Sequence, residues 1–194
     1  MSQKKRNPLD RRISRSHRAL LDGAIDLLMI NPGASLTDIA QHAGVGRATL
    51  YRHFDSREAL LRELAIESLN MTDDVLQPIR DAGLNARETL EKGLAAIMQV
   101  ADRFHFLLLL WNFDDGDTEL MGIYQSQLDE LSRLVEQGKQ ENSIDATLPT
   151  EWIVSMYDSL VYAGWYAIRS GSLNAEQAGR HAASTLFQGI SPPP

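Results

Sequence analysis

The segment from Leu36 to Phe54 constrains the fold more than any other part of the chain. It contains two short stretches with apolar residues at helical spacing, separated by Gly44-Val45-Gly46. In the first stretch the apolar positions follow i, i+3, i+4 and i+7, as in an amphipathic helix: Leu36, Ile39, Ala40 and Ala43. A glycine ends such a helix readily because it adopts the left-handed conformation without steric cost. The pattern predicts two short helices and a tight turn, as in a helix-turn-helix motif.

The second stretch has an apolar inner side and a polar outer side. Leu50 and Phe54 are four residues apart and share one face of a helix. The opposite face then carries Ala48 and Arg52, whose small size and forked guanidinium suit close approach to bases or phosphates. The predicted DNA contacts are Ser35, Thr37, Arg47, Ala48, Thr49, Tyr51, Arg52, His53 and Arg57. Periodicity alone is equally compatible with a helical hairpin that has a solvated polar face.

Residues 13–69 resemble the N-terminal domain of the TetR family of one-component transcriptional regulators. Three segments carry the resemblance: Leu36-Thr-Asp-Ile-Ala40, Ala43-Gly-Val-Gly-Arg-Ala-Thr-Leu-Tyr-Arg-His-Phe54 and Ser56-Arg-Glu-Ala-Leu-Leu61. The family often has serine where this chain has Gly46, and commonly lysine at the position of Arg57. The resemblance implies a DNA-binding domain followed by a divergent helical domain that dimerises and senses a ligand.

The charge of the chain is polarised along its length. The net charge is −7, but residues 1–62 contain 11 Lys and Arg against 6 Asp and Glu, a balance of +5, and the remainder has 8 against 20, a balance of −12. A phosphate backbone attracts the first part and repels the second. This distribution favours a nucleic-acid-binding N-terminal region.

The predicted fold is all-α. An N-terminal three-helix helix-turn-helix DNA-binding domain is followed by a C-terminal helical bundle for ligand binding and dimerisation. The predicted domain boundaries are a flexible basic arm at 1–12, the DNA-binding domain at 13–62, the ligand-binding and dimerisation domain at 63–190, and a loose tail at 191–194. Beyond Leu84, we expect helices at about 85–102, 104–112, 118–142, 150–170 and 175–189. Pro78 is expected to disrupt the end of the preceding helix.

The last predicted helix has small and apolar residues along one side, and the helix before it is apolar nearly all round. A helix with two apolar faces needs two neighbours, and a second subunit would supply one of them. The predicted homodimer interface is therefore Val161, Trp165, Ala178, Gly179, Ala182, Ala183, Leu186 and Phe187. An ordinary buried helix within a monomer is the alternative.

Aromatic and methionine side chains are frequent in the predicted helices of the second domain. Most of them are expected to lie in the core, but together they indicate a cavity for a small apolar or aromatic effector. The predicted ligand-binding residues are Met98, Phe104, Phe106, Trp111, Tyr124, Trp152, Met156 and Tyr157.

Other classes of chemistry have little support in the sequence. The chain has no cysteine, its five histidines show no ligand spacing, and no catalytic motif is present, so we expect no enzyme activity, metal or cofactor. The acidic run at 114–119 fits a solvated turn better than a calcium loop. We expect a cytoplasmic protein without membrane contact. The leading hypothesis is a ligand-responsive repressor that binds a palindromic double-stranded DNA operator as a homodimer. The alternatives are a same-fold activator or DNA-organising protein without a small-molecule signal, and a helical scaffold or small enzyme.

Overall fold

The computed structural model describes the backbone of residues 8–103 and 117–191, and the side chains of 15–103 and 117–191. Every regular element in these ranges is a helix, which confirms the predicted all-α class. The chain divides into two compact units, Met1–Ala65 and Ile66–Pro194. None of the helices in the described ranges is long and apolar enough to cross a membrane.

The first unit contains α1 (Pro8–Leu28), α2 (Leu36–His42), α3 (Arg47–His53) and the beginning of α4 (Arg57–Arg80). The second contains the rest of α4, then α5 (Ala86–Ile97), α6 (Thr118–Gln140), α7 (Thr150–Arg169) and α8 (Ala175–Ile190). A 3-10 turn, Met98–Val100, follows α5. The helix predicted at 104–112 and the first half of the acidic run, residues 114–116, lie outside the described residues.

The beginning of α1 differs from the predicted basic arm. The helix starts at Pro8, so residues 8–12 are helical, while residues 1–7 lie outside the described range. Proline suits the first position of a helix because its missing N–H has no intrahelical partner there. The same residue type was expected to disrupt α4, yet that helix continues through Pro78 to Arg80. Asp74 and Pro78 are both exposed, so the carbonyl that loses its helical donor faces solvent.

The core of the first unit comes from all four of its helices. Leu20, Ala24, Ile39, Leu50 and Leu60 are each completely buried or nearly so. Helices α1 and α2 approach closely at Gly23, where a Cβ atom would lie 2.8 Å from the Cβ of Ala43. The absence of a side chain at Gly23 therefore sets how closely these two helices pack.

The core of the second unit joins α5, α7 and α8, and most of the residues predicted for the dimer interface lie in it. Gly179 packs against α5 so closely that a Cβ atom would lie 2.8 Å from the Cα of Ala95. The small-residue stripe of α8 thus serves contact within the chain. Six of the eight predicted interface residues are buried in their own subunit and have no surface to offer a partner: Val161, Ala178, Gly179, Ala182, Leu186 and Phe187. Ala183 and Trp165 are partly buried.

Gly23→Ala is expected to destabilise the protein, because the new methyl group would meet both the side chain and the backbone of Ala43. Overpacking of this kind lowers the free energy of unfolding by about 1–3 kcal/mol. Urea denaturation provides the measurement. Gly122→Ala is the matched control, since that glycine lies in α6 with no atom within 4 Å of the place its methyl group would take, and this variant should gain stability. Equal stability of Gly23→Ala and the parent chain would contradict the close α1–α2 packing.

Candidate DNA-binding surface and ligand cavity

The start of α2 is fixed by a reciprocal cap. The hydroxyl of Ser35 accepts a bond from the Asp38 backbone N–H at 3.2 Å and donates to Asp38 Oδ2 at 2.7 Å, and the Ser35 N–H donates to the same carboxylate at 2.9 Å. These bonds, first from the Ser35 side chain and then from its backbone, lower the pKa of Asp38. Ser35 was predicted to contact DNA; in this structure its hydroxyl is engaged in the cap. Thr37 lies exposed beside it.

Two glycines shape the turn between α2 and α3. Gly44 has φ of +65°, in the left-handed region that disfavours other residues. Gly46 caps α3 with φ of −62° and ψ of 141°, without a side-chain hydrogen bond. No atom lies within 4 Å of a Cβ placed on Gly46, so the serine that is frequent in the family would fit there. The first turn of α3 therefore presents its free N–H groups without a side chain over them.

The outer face of α3 carries two arginines and an aromatic ring. Arg47, Ala48, Tyr51 and Arg52 are exposed, and Thr49 is half-buried, while Leu50 faces the core. The Arg52 Nε donates to the Ala48 carbonyl at 3.1 Å, and its Nη2 donates to Thr49 Oγ1 at 3.2 Å. The Arg47 guanidinium lies 5.7 Å from the centre of the Tyr51 ring. These side chains form one positively charged surface on a seven-residue helix.

His53 and Arg57 lie differently from the sequence expectation. His53 is half-buried, with its Nε2 2.9 Å from Ser16 Oγ of α1 and its ring centre 5.3 Å from that of His17. Burial, followed by the positive charges of His17 and Arg52, lowers the pKa of His53. It therefore presents a neutral ring near pH 7, which weakens the case for its predicted phosphate contact.

The Arg57 guanidinium ties the start of α4 to the loop before α2. Its Nε donates to the carbonyl of Ala34 at 3.0 Å, and its Nη2 donates to that of Pro32 at 2.5 Å. Arg57 is partly buried, and these bonds give it a role in holding the motif together. The sequence indicated only its charge, because the two acceptors are backbone atoms more than twenty positions away.

The second unit contains a cavity of about 410 Å³, a size that suits a small organic molecule. Its wall is mainly aliphatic and comes from four helices, α4 to α7, and from the segment between α4 and α5. The aliphatic side chains are Leu76, Ile79, Leu84, Leu90, Ile97, Leu128, Leu131 and Leu134. The titratable side chains on the wall are Arg80, Tyr124, Glu130, Arg133, Tyr157 and Asp158.

The predicted ligand-binding residues are not all brought together by the structure. Tyr124 and Tyr157 line the cavity. Met98 is buried in the core, Trp152 is 59% exposed, and Met156 is partly buried, so none of these three is on the cavity wall. Phe104, Phe106 and Trp111 lie outside the described residues. The aliphatic character of the wall and the presence of Asp158 were both missed, since an aspartate between Tyr157 and Ser159 carries no distinctive sequence signal.

A helix-turn-helix with a charged outer face defines a class of DNA-binding proteins. Comparisons with known proteins agree. A family model described as bacterial regulatory proteins, tetR family, matches residues 20–64. The HTH-type transcriptional repressor LfrR of Mycolicibacterium smegmatis is 51% identical over 51 residues, which cover 26% of this chain and 27% of that protein. The HTH-type transcriptional regulator NfxB of Pseudomonas aeruginosa is 25% identical over 171 residues, or 87% of each protein.

The similarity in fold extends through both units. The crystal structure of the TetR-like regulator LfrR from Mycobacterium smegmatis, in complex with proflavine, has a TM-score of 0.75 with 24% identity, covering 91% of this chain and 97% of that one. Residues 20–64 therefore form a DNA-binding domain of the TetR family of bacterial regulators, and the fold of the whole chain is similar to that of a TetR-like regulator. This confirms the resemblance found in the sequence and the expectation of a DNA-binding regulator rather than an enzyme.

Asp158→Asn is expected to stabilise the protein at high pH. Burial raises the pKa of Asp158 from 3.8 to about 6. Between these values the folded protein binds more protons than the unfolded chain, so the carboxylate lowers the free energy of unfolding above about pH 6 and ceases to do so towards pH 4. The variant should gain at most about 3 kcal/mol at pH 8, with the gain shrinking as the pH falls.

Urea denaturation between pH 4.5 and 8 measures this gain. Asp145→Asn is the matched control, because the Asp145 carboxylate is hydrogen-bonded by the Thr147 N–H and hydroxyl, which lower its pKa. That variant should gain nothing at pH 8. A pH-independent effect of Asp158→Asn would show that its carboxylate is not desolvated.

Proposed function

We propose that this protein is a ligand-responsive transcriptional repressor that acts in the cytoplasm, binds a palindromic DNA operator as a homodimer and releases it when a small effector occupies the cavity. The exposed arginine-bearing face of α3 carries the proposal most directly. Arg47 and Arg52 project from a helix whose opposite side, at Leu50, is completely buried. This is the arrangement by which a recognition helix enters a major groove.

The proposed contacts divide by chemistry. Arg52 and Thr49, which bond to one another, are assigned to base edges, because they stand next to the small Ala48 that allows close approach. Arg47, Tyr51 and the backbone N–H groups at the start of α3 are assigned to phosphates. Thr37 is assigned to a phosphate from its exposed position on α2.

The cavity supports a response to a small molecule. Thr72, Leu76, Ile79 and Arg80 on its wall belong to α4, the helix whose Leu60 lies in the core of the first unit. A ligand there contacts the same continuous helix that completes the DNA-binding unit. LfrR, which has a similar fold, has been solved in complex with proflavine, and this supports a small-molecule effector for the present chain.

The homodimer is proposed through the exposed side of α7 and the neighbouring α8. Trp152, Tyr162 and Tyr166 are 59%, 44% and 63% exposed, and they follow one side of α7. Exposed aromatic residues in a row mark an interaction surface. A second copy of the chain is the partner that also accounts for binding to a palindromic operator, because two recognition helices bind a palindrome far more tightly than one.

The DNA assignment is tested by selecting bound duplexes from a random pool with the full chain. A palindrome with half-sites about one helical turn apart is expected. On the selected duplex, Thr49→Ala combined with Arg52→Ala should remove discrimination among half-site sequences, each base contact contributing about 1–3 kcal/mol. Fluorescence polarisation measures the affinities. Lys92→Ala, which removes an exposed charge from α5, should leave them unchanged. Unaltered sequence preference in the double variant would reject these contacts.

The dimer surface is tested by sedimentation. Trp152→Asp and Tyr166→Asp each place a carboxylate in the proposed interface, towards one or the other end of α7, where burial without a partner is unfavourable. Each variant should sediment as a folded monomer and bind the palindrome weakly. Ile30→Asp is the matched control, because Ile30 is 72% exposed but belongs to the first unit. Dimers that persist in both variants would place the subunit contact on another surface.

A further inference from the structure

Asp158 differs from the other polar side chains on the described cavity wall because its carboxylate has no bonding partner there. Arg80 bonds Asp73 and also Glu130, the latter at 3.1 Å. The Gln127 amide donates to the Leu69 carbonyl at 2.9 Å, and the Tyr157 hydroxyl reaches the Leu90 carbonyl at 3.4 Å. Among the described residues, no hydrogen-bond donor and no cation pairs with the Asp158 carboxylate. A partly buried carboxylate without a partner is unfavourable, and proteins normally provide one.

The Asp158 carboxylate lies in apolar surroundings and acts on the two tyrosines of the cavity wall. Burial, and after it the charge of Asp158, raises the pKa of Tyr124 to about 12, and the same two causes in the same order raise the pKa of Tyr157. The raised pKa of Asp158 itself is caused by burial, and no cation counteracts it. Arg80 on the same wall is matched by two carboxylates, and Arg133, whose Nε donates to the Asp129 carbonyl, is exposed to solvent. An anionic ligand would therefore meet repulsion at Asp158, and the one arginine on the described wall without a carboxylate partner is solvated.

The rest of the wall defines the body of the ligand. Eight aliphatic side chains surround the space, and the two tyrosines add flat apolar surface beside Asp158. A molecule that fills the cavity excludes water from the carboxylate, which makes the unpaired charge more costly unless the ligand itself brings a positive charge. A neutral apolar ligand lacks that compensation.

We propose that the cavity binds a bulky lipophilic organic cation whose positive centre pairs with the Asp158 carboxylate. This inference rests on the proposed function and specifies the chemical class of its effector. Asp158 supplies selection for positive charge, and the aliphatic wall supplies the affinity for the apolar body. The tyrosine rings next to Asp158 add attraction for the same charge through their faces.

The test uses two ions of nearly equal size and shape but opposite charge, tetraphenylphosphonium and tetraphenylborate. Equilibrium dialysis with the full chain at pH 8 should show binding of the phosphonium and little binding of the borate. Asp158→Asn should weaken phosphonium binding by about tenfold or more, the scale of a partly desolvated ion pair. Asp158→Glu, which keeps the charge, should retain most of the affinity. Glu151→Gln removes an exposed carboxylate from the same helix and should have no effect.

A second readout separates Asp158 from the other charges on the wall. Both ions have a fixed charge, so lowering the pH from 8 to 5 changes only the protein. The parent chain should lose phosphonium affinity as Asp158 is protonated. The Asp158→Asn variant should show a much smaller change, although it retains Arg80, Tyr124, Glu130, Arg133 and Tyr157 around the cavity. Thermal melting of each variant verifies that it is folded.

The outcomes separate this inference from the proposed function. Equal binding of the two ions, or equal phosphonium binding by Asp158→Asn and Glu151→Gln, would overturn the cation site. Absence of phosphonium binding would also overturn the cation site. In all of these cases, selection of a palindrome by the same protein preparation would still support the proposed function as a DNA-binding regulator. Failure to select any duplex would instead count against the proposed function, while the dialysis result would still decide the ligand class.

Discussion

The burial of Leu50 and Phe54 is the constraint on which the DNA-binding surface depends. An isolated seven-residue helix is not stable in water, so α3 exists because its inner side packs in the core. Leu50 is completely buried, and the Phe54 ring stacks on His17 of α1 with centres 5.5 Å apart. With these two positions held inward, helical geometry turns Ala48 and Arg52 outward. The chemistry of the exposed face is therefore a consequence of packing behind it, and the close α1–α2 contact at Gly23 is part of the same support.

Local features of the first unit could be predicted because they depend on residues close in sequence. The Ser35–Asp38 cap, the left-handed Gly44 that follows the end of α2, and the inward positions of Leu50 and Phe54 all follow from spacings of four residues or fewer. The positions of His53 and Arg57 could not be predicted in this way. Their partners are Ser16 on α1 and the carbonyls of Pro32 and Ala34, and only the tertiary arrangement brings these atoms together.

The second unit shows what periodicity leaves undetermined. The spacing of small residues on α8 correctly indicated a helix with a closely packed side, but a pattern does not specify the partner of that side. Here the partner is α5 of the same chain, where Gly179 meets Ala95. For the aromatic residues of α7 the sequence did not indicate exposure. Trp152 was predicted to bind the ligand, and no role was predicted for Tyr166, yet both side chains are exposed. A distribution of apolar residues all round a helix is compatible with either arrangement.

Regulation requires that the effector bind two conformations of the protein unequally. An apolar body alone discriminates poorly, since dispersion contacts with flexible leucines can re-form after small helix movements. A charge pair at Asp158 is more sensitive, because the attraction depends on the distance between the charges and on exclusion of water around them. Asp158 lies on α7, and Arg80, with its two carboxylate partners, lies on the same wall at the end of α4. A cation held at Asp158 would therefore stabilise the arrangement of α4 and α7 that brings its positive centre to the carboxylate while keeping it away from Arg80.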